Sequence, residues 1–113
     1  DIIQLPYFFE DGICENIGNN YYKEMEILSK GMKVLNFHPL NIYINSSKKN
    51  HRDDFLITVD DLVNVKKEKV EKFINKKTYG SCNFLVDQIS TLKTKKSNFY
   101  TVNNFVGKLY EKK

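Results

Sequence analysis

Two short apolar runs near the beginning of the chain limit its fold more than any other feature. Residues Ile2–Phe9 read IIQLPYFF, and residues Met32–Phe37 read MKVLNF. Runs of this length are typical of buried strands, while the apolar spacing of Tyr21–Lys30 predicts a helix that Gly31 ends. Strands that alternate with helices are typical of parallel sheets, so we predict an α/β fold.

Polar side chains follow both runs: Glu10 and Asp11 after the first, and Asn36 and His38 at the end of the second. Sites in parallel sheets lie at the carboxyl ends of strands. We therefore predict that Asp11 and His38 lie at the same end of adjacent parallel strands. Neighbouring residues of a strand face opposite sides, so only one of Glu10 and Asp11 is expected to point into a site. Asp11 before Gly12 also fits a simple turn residue, and His38 also fits a hydrogen-bonding cap of its strand.

The rest of the chain is predicted to be rich in helices. Alternation over Leu40–Asn45 predicts an extended segment, and the polar run 46–54, SSKKNHRDD, predicts an exposed loop in which His51 faces solvent. Residues Ser81–Lys93 have the spacing of an amphipathic helix, with Ser81 as its N-cap. Three further elements are predicted: a Lys-rich helix from Thr58 or Asp60, a short strand at Asn98–Tyr100 and a final helix from Thr101.

Composition excludes several classes of protein. The net charge of +4 comes from lysine, because Arg52 is the single arginine. Nucleic-acid-binding surfaces favour arginine for bidentate contacts, so we expect no nucleic-acid partner. No apolar run approaches the roughly 18 residues of a membrane span. Cys14 and Cys82 fit no disulfide framework or CxxC motif, which favours reduced cysteines and a cytoplasmic location.

A more specific signal lies in Gly31–Ser46, which reads GMKVLNFHPLNIYINS. A glycine, a strand, the tetrapeptide NFHP and an aliphatic turn ending in Asn resemble the last barrel strand of small polysaccharide-deacetylase-like proteins. Segment Pro6–Gly12, PYFFEDG, resembles the strand before it in that family. The pattern from Tyr79–Gly80 to the last helix is similar to the family's C-terminal tail.

The resemblance implies a fold and a site. The chain would form the C-terminal part of a distorted (β/α) barrel, either as one domain over residues 1–113 or as a portion of a larger domain. Family members use a divalent metal, zinc or similar, to activate the water that attacks an N-acyl sugar. His38 resembles the late-strand general acid, and Asp11, with Glu10, resembles the acidic position on the preceding strand. The implied substrate-pocket residues are Glu10, Phe8, Phe9, Phe37 and Asn36.

The sequence departs from the family's pattern at the metal ligands. It contains no TFDDG motif, no HxxxH pair and no RxPY-like segment. We therefore expect no metal ligand in this chain, and a site completed by the N-terminal remainder of the barrel. The implied whole protein is a deacetylase with a carbohydrate substrate. The alternative is a non-catalytic α/β interaction module whose Lys-rich helix, Lys66–Lys77, binds an acidic partner.

Overall fold

A computed structural model describes residue 4, residues 6–17 and residues 31–111. Strand β1, Phe9–Glu10, pairs in parallel with strand β2, Leu35–Asn36, so that Glu10 lies opposite Asn36. Helix α1, Asp11–Ile17, begins directly after β1. This mixture of helices and a small parallel sheet agrees with the predicted α/β class, although β2 is shorter than the apolar run Met32–Phe37.

Helices dominate the remainder of the described chain, as predicted. The helix predicted over Tyr21–Lys30 lies outside the described residues. After β2 the described residues form helices α2 (Pro39–Ile44), α3 (His51–Leu56), α4 (Lys67–Glu71), α5 (Ser81–Thr94) and α6 (Val102–Glu111).

The extended segment predicted over Leu40–Asn45 is wrong, because helix α2 occupies it. Pro39 takes the first helical position, where a missing backbone N–H costs nothing and the fixed φ suits the helix. Asn45 ends the helix in the left-handed region, with φ 51° and ψ 55°. The buried side chains are Asn41 and Ile44, three residues apart, which is helical spacing rather than the alternation of a strand.

The exposed loop predicted over residues 46–54 is also wrong. Ser46 and Ser47 are buried, and His51 begins α3 as a buried residue. The carbonyl of Ser46 accepts a hydrogen bond from the backbone N–H of Ser81 at 2.8 Å, which fixes this segment against the start of α5. The fully buried Phe55 gives α3 an apolar side, so tertiary packing overrides the polar composition.

The later boundaries follow the prediction only in part. Thr58 does not begin a helix; its hydroxyl donates to the carbonyl of Phe55 and closes α3. Helix α5 matches the predicted helix to within one residue at its end, but its N-cap is Gly80 rather than Ser81. Residues 98–100 form no strand, and α6 begins one residue after the predicted start.

Two apolar clusters hold the described elements together. The first joins Phe9 of β1, Cys14 of α1 and Phe84 of α5, with ring centroids of Phe9 and Phe84 4.7 Å apart. The second joins Ile44, Phe55 and Val70 of α2, α3 and α4. The first cluster lies under the parallel strands and therefore supports whatever stands at their carboxyl ends.

Candidate active site

The carboxyl ends of the two strands place Asp11 and His38 together. Asp11 follows β1 directly, and His38 follows β2 after one residue. Because the strands are parallel and in register, their ends point the same way. The prediction that Asp11 and His38 lie at the same end of adjacent parallel strands is therefore confirmed.

Asp11 and His38 are joined by several hydrogen bonds. The backbone N–H of His38 donates to both carboxylate oxygens of Asp11, at 3.2 and 3.1 Å. Nδ1 of the His38 ring lies 2.6 Å from Oδ1 of Asp11, the length of a charge-assisted bond. An ionised carboxylate only accepts, so Nδ1 carries the proton and Nε2 is the ring atom that exchanges protons with other groups.

The two partners differ in their access to solvent. The Asp11 side chain is fully buried, whereas 37 % of the His38 side chain is exposed. A buried carboxylate is stable only when hydrogen bonds satisfy it, and His38 supplies them from both its backbone and its ring. This combination holds the Nδ1 side of the imidazole rigidly, while part of the His38 side chain stays accessible to solvent.

Glu10 approaches the same imidazole near Nε2. Its Oε1 lies 3.9 Å from Nε2 of His38. The expectation that only one of Glu10 and Asp11 points into the site is therefore wrong. Strand alternation ends at Glu10 because Asp11 is the first residue of α1, and the change from strand to helix turns both carboxylates towards His38. Neither is a simple turn residue.

Cys14 lies behind this group, in the first apolar cluster. Burial, followed by the charges of Asp11 and Glu10, raises the pKa of its thiol from 9.0 to about 12. At neutral pH the sulfur is therefore a protonated thiol, which is a weak nucleophile. Its contribution to the site is apolar packing under the strand ends.

The aromatic residues predicted to line a pocket are dispersed. Phe8 lies at the amino end of β1, where its ring contacts the ammonium of Lys33, 5.3 Å from the ring centroid. Phe9 is 2 % exposed and packs in the core against Phe84. Phe37 and Asn36 are half-buried, and the Phe37 ring packs on Phe9 with centroids 5.2 Å apart. Of the predicted site residues, Glu10, Asp11 and His38 come together at the strand ends, whereas Phe9 and Phe37 pack on each other in the first apolar cluster.

His51 does not face solvent, so that prediction is wrong. It is 6 % exposed, and its Nε2 lies 2.8 Å from the carbonyl oxygen of Phe73. A neutral ring that donates from Nε2 to this carbonyl ties α3 to the residue after α4. His51 is therefore a structural histidine, distinct in role and place from His38.

Gly12 is a member of the site that the sequence did not single out. The sequence places it only beside Asp11 in a possible turn, but it lies buried in the first turn of α1, next to the His38 ring. The signal that pointed to it was its position directly after Asp11, at the predicted end of a strand. Recognising its role required the position of His38, which lies 26 residues further along the chain.

Metal ligands are not gathered in this part of the protein. Among residues 4, 6–17 and 31–111, no group of three or more His, Cys, Asp or Glu side chains is placed to hold a metal ion. Glu10, Asp11 and His38 face one another as donors and acceptors rather than a common point. The described residues alone therefore do not fit a metal centre.

The Lys-rich segment is partly paired within the chain. Lys67 forms an ion pair with Glu71 at 3.5 Å, and the ammonium of Lys69 donates to the carbonyl of Thr58. The segment also forms a helix of only five residues, α4, rather than the long basic helix that was predicted. These contacts reduce the free positive charge that the interaction-module hypothesis relies on.

The site as a whole defines a class: an imidazole–carboxylate pair at the carboxyl ends of parallel strands, an arrangement that is able to transfer protons. Residues 1–55 match a family model described as WbmS-like: Polysaccharide deacetylase. The match contains Glu10, Asp11 and His38 and supports the family for this N-terminal part; residues 56–113, which include the tail that resembled the family, lie outside it. Neither the curated proteins nor the solved structures contain a match. In the part of the chain that is described, no helix has the length and hydropathy to cross a membrane.

Proposed function

We propose that this chain is part of a metal-dependent deacetylase of N-acyl sugars, in which His38 is the general acid for the departing amine. The observation that carries the proposal is the 2.6 Å contact between Nδ1 of His38 and the buried Asp11, in a side chain that is 37 % exposed and whose Nε2 is not bound to Asp11. The family match over residues 1–55 supports the same reaction class, because it covers both residues.

The reaction needs one proton at the position where Nε2 of His38 stands. Addition of a water-derived hydroxide to the acyl carbonyl forms a tetrahedral intermediate. When that intermediate collapses, the C–N bond breaks and its electron pair remains on nitrogen. Nε2 of protonated His38 donates its proton to this nitrogen, which leaves as a free amine while the acyl group leaves as a carboxylate.

Asp11 and Glu10 assist His38 in different ways. Asp11 accepts from Nδ1 and so holds the ring in one orientation throughout the reaction. Glu10, 3.9 Å from Nε2, faces the proton before it is delivered and stabilises the imidazolium by its charge. Because the leaving nitrogen must reach the same atom, Glu10 also lines the position that the substrate takes.

The metal in this proposal is a divalent ion, zinc or similar, whose ligands belong to residues outside this sequence. When bound, it would activate the water and polarise the acyl carbonyl. The N-terminal remainder of a distorted (β/α) barrel would supply it, and the 113 residues would form the C-terminal portion of that domain. A carbohydrate substrate and a cytoplasmic location, the latter from the reduced cysteines, complete the proposal.

The test is release of the acyl group by the full-length protein from a panel of N-acetyl and other N-acyl sugars, with added divalent metal. Replacement of His38 by Gln removes the proton donor without removing the polar side chain. We expect kcat to fall by about 10²–10⁴ with a much smaller change in KM, because a general acid acts in the transition state.

The chain offers a matched control in its other histidine. His51→Gln should lower thermal stability but keep kcat per folded molecule, because His51 binds the Phe73 carbonyl away from the strand ends. Activity that survives His38→Gln undiminished would show that another group is the acid. No release by the wild-type protein from any sugar of the panel would contradict the deacetylase proposal, and loss of partner binding on neutralising Lys66, Lys69, Lys72 and Lys76 would favour the interaction module.

A further inference from the structure

The environment of Gly12 is unusually close to the His38 ring. A methyl group built on its Cα would lie 3.3 Å from Cε1 and 3.6 Å from Nδ1 of His38, and 3.6 Å from Oε1 of Glu10. Carbon atoms in good contact stand about 3.5–4.0 Å apart, so the first of these distances is too short. Because Gly12 has no side chain, the His38 imidazole can lie close to the Gly12 backbone.

The His38 ring cannot move away from Gly12 without disturbing its other contacts. Nδ1, one of the two ring atoms nearest to Gly12, is held by the 2.6 Å bond to Asp11, whose side chain is fully buried. Its own backbone N–H is also bound to Asp11, and the following Pro39 restricts its backbone to the extended region, observed as φ −83° and ψ 125°. Movement of the ring away from Gly12 therefore lengthens the bond to Asp11 or changes its angle.

We propose that Gly12 is a positioning residue, which sets the orientation of the His38 imidazole between Asp11 and Glu10 by presenting bare backbone beside Cε1 and Nδ1 of the ring. Gly12 lies in helix α1, where alanine is by itself favourable over glycine. The cost of a side chain at this position is then due to His38 and not to the helix. The catalytic consequence rests on the proposed function, whereas the effect on the ring does not.

The first test observes the ring directly. In protein with isotope-labelled histidine, the Nδ1–H proton of His38 should give a downfield, slowly exchanging NMR signal, as expected for a 2.6 Å bond to a carboxylate. Gly12→Ala should move this signal upfield or broaden it beyond detection while the His51 signal remains. An unchanged His38 signal in folded Gly12→Ala protein would overturn the proposal.

The second test separates positioning from general damage to the fold. Gly12→Ala should lower the Tm when His38 is present. Combined with His38→Ala it should leave the Tm unchanged or raise it, because the methyl group then meets no ring. The matched control is Gly107→Ala in α6, where an added Cβ has no neighbour within 4 Å and the Tm should not fall in either background. An equal Tm loss from Gly12→Ala with and without His38 would refute the role assigned to Gly12.

Activity gives a third readout. If the full-length protein is a deacetylase, Gly12→Ala should lower kcat about tenfold with little effect on KM, since displacement of a catalytic group by part of an ångström weakens proton transfer. A changed His38 signal in a protein whose wild type deacetylates nothing would preserve the structural role of Gly12 and reject only the proposed function. A kcat equal to that of an active wild type would reject the catalytic importance of Gly12.

Discussion

The chemistry open to a side chain in this protein depends on how deeply the side chain is buried and on which group it contacts, and not on its residue type alone. The two histidines show this clearly: His38 is partly open and bound to a carboxylate, whereas His51 is buried and bound to a backbone carbonyl. A histidine beside a carboxylate can cycle between protonation states during a reaction. A histidine buried against a carbonyl serves best as a neutral hydrogen-bond donor.

Cys14 leads to a prediction about pH at the same scale. Its pKa is raised to about 12 in the folded protein from 9.0, mainly by burial, so the fold favours the neutral thiol. The resulting stability is complete below pH 9 and is lost as the pH rises towards 12, because only the unfolded chain gains a thiolate in that interval. Between pH 7.5 and pH 10.5, this one group should remove roughly 1–2 kcal/mol from the free energy of unfolding.

Urea unfolding at the two pH values measures this loss. Cys14→Ala should be less stable than the wild type at pH 7.5 but lose less stability on going to pH 10.5. Cys82→Ala is the matched control and should keep the wild-type loss. Tyr79, whose pKa is also raised by burial and by its hydrogen bond to Asp87, adds the same background to all three proteins. Equal losses in Cys14→Ala and wild type would contradict the assignment.

The start of helix α5 is capped by a side chain that is distant from it in sequence. Helix α5 has Gly80 at its N-cap, and glycine has no side chain that could accept hydrogen bonds from the first backbone N–H groups of the helix. The side chain of Asn45, at the end of α2, accepts these hydrogen bonds instead. Oδ1 of Asn45 accepts from the backbone N–H groups of Cys82 and Asn83, at 3.0 and 3.4 Å. Its Nδ2 donates to the carbonyl of Asn75 at 3.0 Å. One asparagine therefore ends α2 and caps α5, and it does so in a left-handed conformation that asparagine tolerates.

Replacement of Asn45 by Gly tests this shared cap. Glycine accepts the backbone angle of φ 51° without strain, so the loss reports on the side chain alone. We expect a loss of about 1–2 kcal/mol in the free energy of unfolding, measured by urea titration. Asn50→Gly is the matched control, since Asn50 also has a positive φ of 63° but makes no side-chain cap bond. Equal effects from the two changes would show that the cap contributes nothing.

At the scale of the whole molecule, the candidate site depends on a helix far from it in sequence. Phe84 of α5 is fully buried against Phe9, and its ring centroid lies 6.0 Å from that of Phe37. Phe9 lies in β1 and Phe37 directly follows β2, and the ends of these two strands carry Asp11 and His38. The family match ends at residue 55, so the part of the chain beyond it supplies support for the matched part.

Truncation of Phe84 should therefore disturb the site from a distance. We expect Phe84→Ala to reduce the free energy of unfolding by about 3–5 kcal/mol, because it opens a cavity under both strands. It should also broaden the NMR signals of His38. Val86→Ala, on the exposed side of the same helix, should change stability by no more than about 0.5 kcal/mol. A small effect of Phe84→Ala, similar to that of Val86→Ala, would show that α5 does not support the strands.

The sequence by itself determined the α/β class, helices α5 and α6 and the meeting of Asp11 with His38. Each of these depends on patterns that local spacing encodes: short apolar runs, helical periodicity, and polar residues where parallel strands end. Tertiary structure alone decided that residues 40–44 are helical, that His51 is buried, and that Glu10 turns towards the same ring as Asp11. Those outcomes depend on which side of each segment is covered by other parts of the chain, and the local spacing of residues carries no information about that. The role proposed for Gly12 also depends on tertiary structure, because the absence of a side chain there matters only when the position of the His38 ring is known.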